Sequence, residues 1–227
     1  MSLAERLGEA RERIAAAAKA AGRSADEVKL IVVTKNHPTQ LVFDLLDLGA
    51  RDFGENRDQE AAPKSAEVRS ASPIEHNWHF IGQLQSNKAK SVVSYASSIH
   101  SLDRQSLLDA LGKATADRQS PLDVFIQLNL TDDPGRGGIQ DANLLAFAEN
   151  VLGHPGLNLV GVMGVAALDN QLERDFGLIR EASEKLQTLK PTANQISAGM
   201  SEDFETAIAF GATHVRIGSA ITGKRQY

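Results

Sequence analysis

A lysine that follows a short apolar run has the clearest chemical potential in the sequence. Lys35 comes after Leu30–Val33 and Thr34. A run of β-branched apolar residues is typical of a strand buried on both faces, so we expect Lys35 to point toward the protein interior. A lysine removed from water has a lowered pKa and can form a Schiff base with a carbonyl compound. The alternative is a strand-end lysine whose ammonium reaches solvent, and position alone leaves both open.

Two segments near the end of the chain combine small residues with chain-turning glycines. The first is Ser197–Ser201, followed by Glu202 and Asp203, and the second is Arg216–Ala220. Small residues let backbone amides converge on a ligand, and we predict Ser201 as the N-cap of the next helix. Amides at a helix N-terminus form an anion site. Either segment alone is weak evidence, but together they predict a bound phosphate.

Other polar residues have both a functional and a purely structural interpretation. Asn56 follows a predicted strand and either bonds a ligand or caps a helix. His79 lies between two aromatic residues, where a buried, hydrogen-bonded core histidine is the more common outcome. The six histidines have no ligand-like spacing, which gives little support to a metal site. The turn-rich loop 132–138 contains Arg136, which either approaches a phosphate or has no role in binding.

Composition excludes several classes of protein. The chain has 24 basic and 29 acidic residues and a net charge of −5, which argues against a surface for duplex nucleic acid or anionic membranes. It contains no cysteine, so disulfide scaffolds and thiolate metal sites are excluded. No apolar run approaches the roughly 18–20 residues that span a bilayer. The acidic, alanine-rich start is unlike a secretory signal, and we expect a soluble cytoplasmic protein.

The elements that position these residues follow a repeating pattern. Ser2 and Glu5 predict a capping box that begins a helix, which ends near Gly22. Apolar, strand-like runs then alternate with amphipathic stretches. The strands are expected at 30–33, 50–54, 77–81, 97–101, 123–129, 159–165, 194–198 and 213–217. The helices are expected at 41–48, 55–69, 84–95, 104–118, 141–152, 171–189 and 202–210.

Eight strand–helix units admit two α/β architectures, a (β/α)8 barrel or an open doubly wound sheet. The chain allows roughly 28 residues per unit, close to the barrel norm, so we favour a TIM barrel with an extra N-terminal helix. No linker composition divides the chain, which predicts a single domain over 1–227. Active-site groups of such barrels lie at the carboxyl ends of the strands, with phosphate commonly after strands seven and eight. Lys35 and both small-residue segments satisfy this rule.

The joint pattern resembles the pyridoxal-phosphate homeostasis proteins, single-domain relatives of the alanine racemase N-terminal barrel. The resemblance extends from the first strand to the last and therefore covers nearly the whole chain. It rests on Lys35, Phe53–Arg57 with Gln59 and Glu60, Trp78–Gly82 with Leu84, Gln85, Asn87 and Lys88, His100 and Ser101, Gln127 and Asn129, Gly199–Ser201 with Asp203, and Val215–Gly218 with Gly223.

The resemblance implies a cofactor and a role for each candidate residue. Lys35 would carry pyridoxal 5′-phosphate (PLP) as a Schiff base, and Arg216 would face the pyridine nitrogen. The phosphate would lie on the two small-residue segments, and three residues from the second and third strand ends would line the ring. The implied phosphate-binding residues are Ser197, Gly199, Met200, Ser201, Gly218 and Ser219, and the implied ring-lining residues are Asn56, His79 and Ile81.

The resemblance also implies a function. In the racemase relatives a second catalytic base comes from an additional β domain, for which 227 residues leave no room. We therefore expect a monomeric protein that stores, delivers or buffers PLP, with apo-enzymes as possible recipients and little or no turnover. Two alternatives remain open. One is a PLP-dependent amino-acid racemase with His79 or Tyr95 as second base, and the other is an aldolase whose Lys35 binds a sugar-phosphate carbonyl.

Overall fold

Parallel strands close into a barrel in the order β1 to β8, with β8 pairing back to β1. The computed structural model describes residues 1–131, 137–167 and 171–223. Within these residues the strands are β1 (Lys29–Val33), β2 (Asp52–Glu55), β3 (Asn77–Phe80), β4 (Ser98–Leu102), β5 (Leu122–Gln127), β6 (Leu157–Met163), β7 (Gln195–Ser197) and β8 (His214–Ile217). The closed barrel is confirmed, and the open doubly wound sheet is excluded.

Helices fill the connections and surround the barrel. In the described part of the chain they are α1 (Leu3–Ala20), α2 (Thr39–Asp47), α3 (Asp58–Ala71), α4 (Ala89–Val93), α5 (Gln105–Ala114), α6 (Leu144–Leu152), α7 (Leu172–Leu189), α8 (Phe204–Ala209) and α9 (Ser219–Thr222). None of these helices is both long and apolar enough to cross a membrane.

The predicted N-terminal helix is confirmed together with its capping box. The Glu5 amide donates to Ser2 Oγ at 3.2 Å, and the Ser2 amide donates to Glu5 Oε2 at 2.6 Å. The helix ends at Ala20, and Gly22 follows with a φ of 70°, a backbone conformation that favours glycine. One face of α1 is buried through Leu7, Ala10 and other apolar residues, so the helix adds to the core.

Two sequence expectations about helices are wrong, and one short helix was not expected. The helix expected over 84–95 is only α4, preceded by a 3₁₀ turn over Ser86–Lys88, where serine and asparagine are poor helix formers. The short α9 was not expected. Ser201 is not an N-cap, because residues 201–203 form a turn and α8 follows Asp203. The Asp203 carboxylate instead accepts a hydrogen bond from the Met200 amide at 2.5 Å.

The barrel separates two interiors of different chemistry. Alternate strand residues face the helices, where the core is apolar, as Phe53 and Trp78 show with ring centroids 5.6 Å apart. The other residues face the inside of the barrel, here called the lumen. Polar side chains are prominent there, and the His100 ring stacks on Phe125 at 4.3 Å. This lumen is unusual, because branched aliphatic residues normally fill such barrels.

Candidate functional site

Three chain segments converge at the carboxyl end of the barrel because β8 lies between β1 and β7. The Arg216 amide donates to the Gly199 carbonyl at 3.0 Å, which joins β8 to the segment after β7. A Cβ on Gly218 would lie 3.5 Å from Val33 Cβ, so the segment after β8 lies against the end of β1. The turn that bears Lys35 and the two small-residue segments therefore lie at the same end of the barrel, after the adjacent strands β1, β7 and β8.

Lys35 lies in a turn two residues beyond the end of β1 and is half-buried. The next residue, Asn36, has a φ of 61°, a left-handed conformation that asparagine tolerates better than most residues. Its amide donates to Glu60 Oε2 at 2.9 Å, which ties the turn to α3. The lysine is therefore displayed on a turn whose backbone is fixed from one side.

A buried charged cluster that the sequence did not lead us to expect lies next to this turn. Lys64 Nζ donates to Glu55 Oε1 at 2.5 Å and to the Thr34 carbonyl at 3.0 Å, and Thr34 Oγ1 donates to Glu55 Oε1 at 2.8 Å. Burial raises the pKa of the Glu55 carboxyl, and the Lys64 ammonium opposes that shift. The cluster anchors the residue that precedes Lys35. Its signal in the sequence is Lys64 on the buried stripe of α3 between Ala61 and Val68.

Arg216 is held by the protein on two sides and is 5 % exposed. Its Nη1 donates to Ser197 Oγ at 2.7 Å, and its Nη2 donates to the Gly164 carbonyl at 3.0 Å. Burial lowers the pKa of the guanidinium to about 10, so the group stays charged at neutral pH. The site therefore contains a fixed, desolvated cation whose orientation is set by two strand ends.

The small-residue segments differ in exposure. Ser197 is fully buried, whereas Met200 is exposed and Ser201 and Ser219 are accessible to solvent. Gly199 has a φ of 93°, and a Cβ there would lie 2.8 Å from Phe204 Cα, so this position requires glycine. The first segment is consequently packed closely on α8, which fixes its amides in place.

Asn56 and Ile81 lie on neighbouring segments at the carboxyl end of β2 and β3. A Cβ on Gly82 would come within 2.3 Å of the Asn56 carbonyl oxygen, so the two segments are in contact. The cap of α3 is Arg57, which excludes the simple capping role for Asn56. Asn56 Oδ1 is buried and accepts no hydrogen bond from any described residue, and Asn56 also lines a cavity of about 510 Å³. An acceptor left in this state is what a ligand donor would satisfy.

His79 lies deeper in the barrel than the other candidates. Its Nε2 is 2.9 Å from Asp52 Oδ1, and its Nδ1 is 3.0 Å from His100 Nε2. It lines a cavity of about 160 Å³ together with Lys29 and Asn77, the first residues of β1 and β3. His79 is thus a buried, hydrogen-bonded histidine near the amino end of the barrel. Its contact with the cofactor ring stays a prediction.

Of the two remaining candidates, Tyr95 lies on the helix side of the barrel, and Arg136 lies outside the described residues. The Tyr95 hydroxyl donates to Asp58 Oδ1 at 3.3 Å, and Asp58 begins α3 on the helix side of the barrel. Burial first, and then the Asp58 charge, raise the Tyr95 pKa well above its ordinary value. Arg136 and the neighbouring residues 132–135 lie outside the described residues, so the prediction for that loop stays open.

Comparisons with known proteins agree with this arrangement. A sequence model described as the alanine racemase N-terminal domain matches residues 6–226. The chain is 38 % identical over 228 residues to the pyridoxal phosphate homeostasis protein of Escherichia coli, covering 99 % of this chain and 97 % of that one. The chain belongs to the pyridoxal phosphate homeostasis protein family. The relative from Mycobacterium bovis has the same name and is 37 % identical, covering 99 % of this chain and 93 % of its own.

Solved structures place this homeostasis-family chain among the same relatives. PipY of Synechococcus elongatus with PLP bound superimposes with a TM-score of 0.84 at 31 % identity, covering 98 % of this chain and 100 % of that one. Alanine racemase of Corynebacterium glutamicum gives a TM-score of 0.69 at 15 % identity, covering 93 % of this chain and 59 % of the racemase. The second likeness concerns the fold alone, and it confirms the alanine racemase type of barrel.

Proposed function

We propose that this protein binds PLP and takes part in intracellular PLP homeostasis, by storing, delivering or buffering the cofactor in a single barrel domain. One observation carries the proposal. A desolvated Arg216, held by Ser197 and Gly164, lies where the turn bearing Lys35 meets two small-residue segments. The PLP-bound structure of PipY, a relative at 31 % identity, supports the same cofactor here.

The residues present fit PLP in charge and in the hydrogen-bonding groups that they offer. A phosphate dianion needs several donors, and the closely packed segment around Gly199 and the start of α9 at Ser219 offer backbone amides and hydroxyls. The buried oxygen Oδ1 of Asn56, which has no hydrogen-bond partner in the described residues, would accept a hydrogen bond from the ligand. Lys35 would supply the primary amine that holds the cofactor through its aldehyde group.

We assign the cofactor-binding roles as the family resemblance implies. Lys35 would hold the cofactor covalently, Arg216 would face the ring nitrogen, and the remaining residues would bind the phosphate or line the ring. The phosphate-binding residues are Ser197, Gly199, Met200, Ser201, Gly218 and Ser219, and the ring-lining residues are Asn56, His79 and Ile81.

Arg216 supports a carrier role over catalysis. When bound, PLP supplies an electron-accepting ring, and that capacity depends on protonation of the ring nitrogen. An arginine keeps its own proton in a protein, so Arg216 would donate to the ring nitrogen and would leave that atom unprotonated. Such a ring stabilises carbanions weakly, which favours holding the cofactor over rapid turnover.

The contacts of the two second bases named for the racemase alternative favour the carrier role. The Tyr95 hydroxyl donates to a carboxylate on the helix side of the barrel, and His79 bonds Asp52 near the amino end of the lumen. Monomeric state and delivery to apo-enzymes remain part of the proposal. The monomer is supported by the small number of large exposed apolar residues in the described chain, which are Met1, Leu152, Val165, Leu178 and Met200.

Substitution of Lys35 tests the proposal directly. Purified protein incubated with PLP is expected to show a visible absorption band, and borohydride reduction is expected to add one reduced PLP, located at Lys35 by peptide mass mapping. Lys35→Ala removes both signals, because no other amine occupies that turn. Lys90→Ala, an exposed lysine on α4, is the matched control and retains both.

Two results would contradict the proposal. A band that persists in Lys35→Ala places the cofactor elsewhere. Borohydride trapping of a sugar phosphate, with no PLP-dependent band, favours the aldolase alternative. Rapid exchange of the α-hydrogen of alanine or serine in deuterium oxide by the PLP-loaded protein would contradict only the low-turnover part.

A further inference from the structure

A line of hydrogen-bonded side chains runs through the lumen from Arg216 to Asp52. Arg216 Nη1 is 2.7 Å from Ser197 Oγ, and Ser197 Oγ is 2.8 Å from His100 Nδ1. His100 Nε2 is 3.0 Å from His79 Nδ1, and His79 Nε2 is 2.9 Å from Asp52 Oδ1. We call these five residues the lumen chain. It connects the candidate site with the amino end of the barrel.

The carboxylate end of the lumen chain sets the direction of its hydrogen bonds, and the guanidinium end is compatible with that direction. A guanidinium can only donate, and an ionised carboxylate can only accept. Burial alone would raise the pKa of Asp52, but hydrogen bonding to His79 and the nearby Lys29 and Asn77 hold it below the ordinary value. The carboxylate is therefore ionised at neutral pH, and protons point from Arg216 toward Asp52.

The tautomers of both histidines follow from that direction. His79 donates its Nε2–H to Asp52, which leaves Nδ1 as an acceptor. His100 then donates its Nε2–H toward His79 and accepts the Ser197 hydroxyl proton at Nδ1. The opposite direction would set the His79 Nε2 lone pair against an anionic oxygen at 2.9 Å, which is repulsive.

Ser98 provides a parallel branch with the same direction. Its Oγ is 2.9 Å from His100 Nε2 and 2.7 Å from His79 Nδ1. The hydroxyl can accept from His100 and donate to His79, so either route requires the same pair of tautomers. Both histidines are buried, and desolvation lowers their pKa values, so both rings are neutral at pH 7.

We propose that Asp52, His79 and His100 are positioning residues, which orient the Arg216 guanidinium through Ser197 as a one-directional hydrogen-bond chain with both histidines in the neutral Nε2–H form. Arg216 makes two hydrogen bonds within the described residues, and the chain fixes one of them from the far end of the barrel. The benefit to a bound cofactor rests on the proposed function, whereas the orientation of the chain itself does not.

The tautomers can be measured in protein without cofactor. Nitrogen-15 NMR of the imidazole side chains distinguishes a protonated from an unprotonated ring nitrogen. At pH 7 both His79 and His100 are expected to show a protonated Nε2 and an unprotonated Nδ1. A protonated Nδ1 in either ring, or a charged ring, overturns the proposal. This readout is independent of whether the protein binds PLP.

Removing the acceptor at the far end tests transmission along the chain. In Asp52→Ala the acceptor that fixes the His79 tautomer is gone. We therefore expect changed nitrogen-15 chemical shifts at the His100 side chain and at the guanidinium group of Arg216. Asp52→Asn restores an oxygen acceptor and is expected to keep the wild-type signals. Asp123→Ala is the matched control, because Asp123 lines the same cavity but is bonded by Asn158 at 2.8 Å.

The same variants separate this proposal from the proposed function. Asp52→Ala is expected to weaken PLP binding by about tenfold, the usual effect of losing one charge-assisted hydrogen bond, while Asp123→Ala leaves it unchanged. Unshifted Arg216 signals in a folded Asp52→Ala protein, or equal shifts in Asp123→Ala, contradict the positioning role. If the tautomers are as expected and the Arg216 signals shift, but the protein does not bind PLP, the positioning role is retained and the proposed function is rejected. If Asp52→Ala does not fold, Ser197→Ala provides the same test at the other end.

Discussion

The lumen and the layer between strands and helices are both buried, yet they solve burial differently. The outer layer is a continuous apolar cluster that includes Phe53, Leu108 and Phe176. The lumen has a small apolar group, Phe125 with Val160 and Met163, and beside it histidines, serines and Arg216. Apolar side chains can be buried in any orientation, whereas a polar side chain in the lumen needs a hydrogen-bond partner to offset its loss of water.

This difference assigns separate tasks to the two regions. The outer layer stabilises the barrel through area removed from water, a contribution that tolerates small shifts. The lumen fixes directions, because a hydrogen bond weakens when its donor and acceptor are misaligned. An exception in the outer layer, the Glu55–Lys64 pair, lies next to the turn that bears Lys35. Directional contacts are therefore concentrated where a side chain at the site must be held in place.

A cavity in the outer layer should have the largest effect on stability. Leu108 on α5 is completely buried, and Leu108→Ala is expected to lower the free energy of unfolding by about 2–5 kcal/mol. Leu178→Ala on α7, where the side chain is 42 % exposed, is the matched control and should cost less than about 0.5 kcal/mol. Urea denaturation measures both. Equal losses, or altered imidazole signals of the lumen histidines in Leu108→Ala, would show that the two regions are not separate.

Lowering the pH is expected to destabilise the protein through the buried histidines of the lumen. Desolvation, first of all, lowers the pKa of His214 to about 3, whereas an unfolded histidine titrates near 6.5. Below that value the unfolded chain binds the proton and the folded protein does not, so stability falls between about pH 6.5 and pH 3. His214 alone is expected to account for about 2 kcal/mol between pH 7 and pH 5.

The variant His214→Gln removes this contribution and identifies its source. Its unfolding free energy is expected to fall by about 2 kcal/mol less than that of the parent protein over the same interval. His79 and His100 remain in the variant, and burial lowers their pKa values too, so part of the acid sensitivity persists. An unchanged pH dependence in His214→Gln would show that His214 does not stay neutral in the folded protein.

The exposed surface should show the smallest effect. Arg180 and Glu184 form an ion pair at 2.9 Å on α7, and both side chains are 59 % exposed. Solvent screens such pairs, so Arg180→Ala is expected to change stability by less than about 0.5 kcal/mol. Thermal unfolding at low and high salt provides the measurement. A decrease in the free energy of unfolding of more than about 1 kcal/mol would show that this exposed pair contributes as much as a buried contact.

Much of the architecture could be predicted because each unit obeys a local rule. The strand at Lys29–Val33 contains the apolar run Leu30–Val33, and α1 begins with a capping serine and glutamate. Closure of the barrel then places the turn at Lys35 and the segments at Gly199 and Gly218 at one end of adjacent strands. Helix ends were less predictable, as α4 shows, because a 3₁₀ turn and an α-helix use similar residues.

The sequence by itself determined the alternation of strands and helices, the lysine at the first strand end and the small residues at the last two. Only the tertiary structure decided what His79 and Lys64 contact. His79 meets His100 and Asp52 across the lumen, and Lys64 meets Glu55 next to the first turn. These partners are 9 to 27 positions apart in the chain and come together through barrel closure and helix packing. Local patterns record which residues are buried, but a polar partner is specified by three-dimensional geometry.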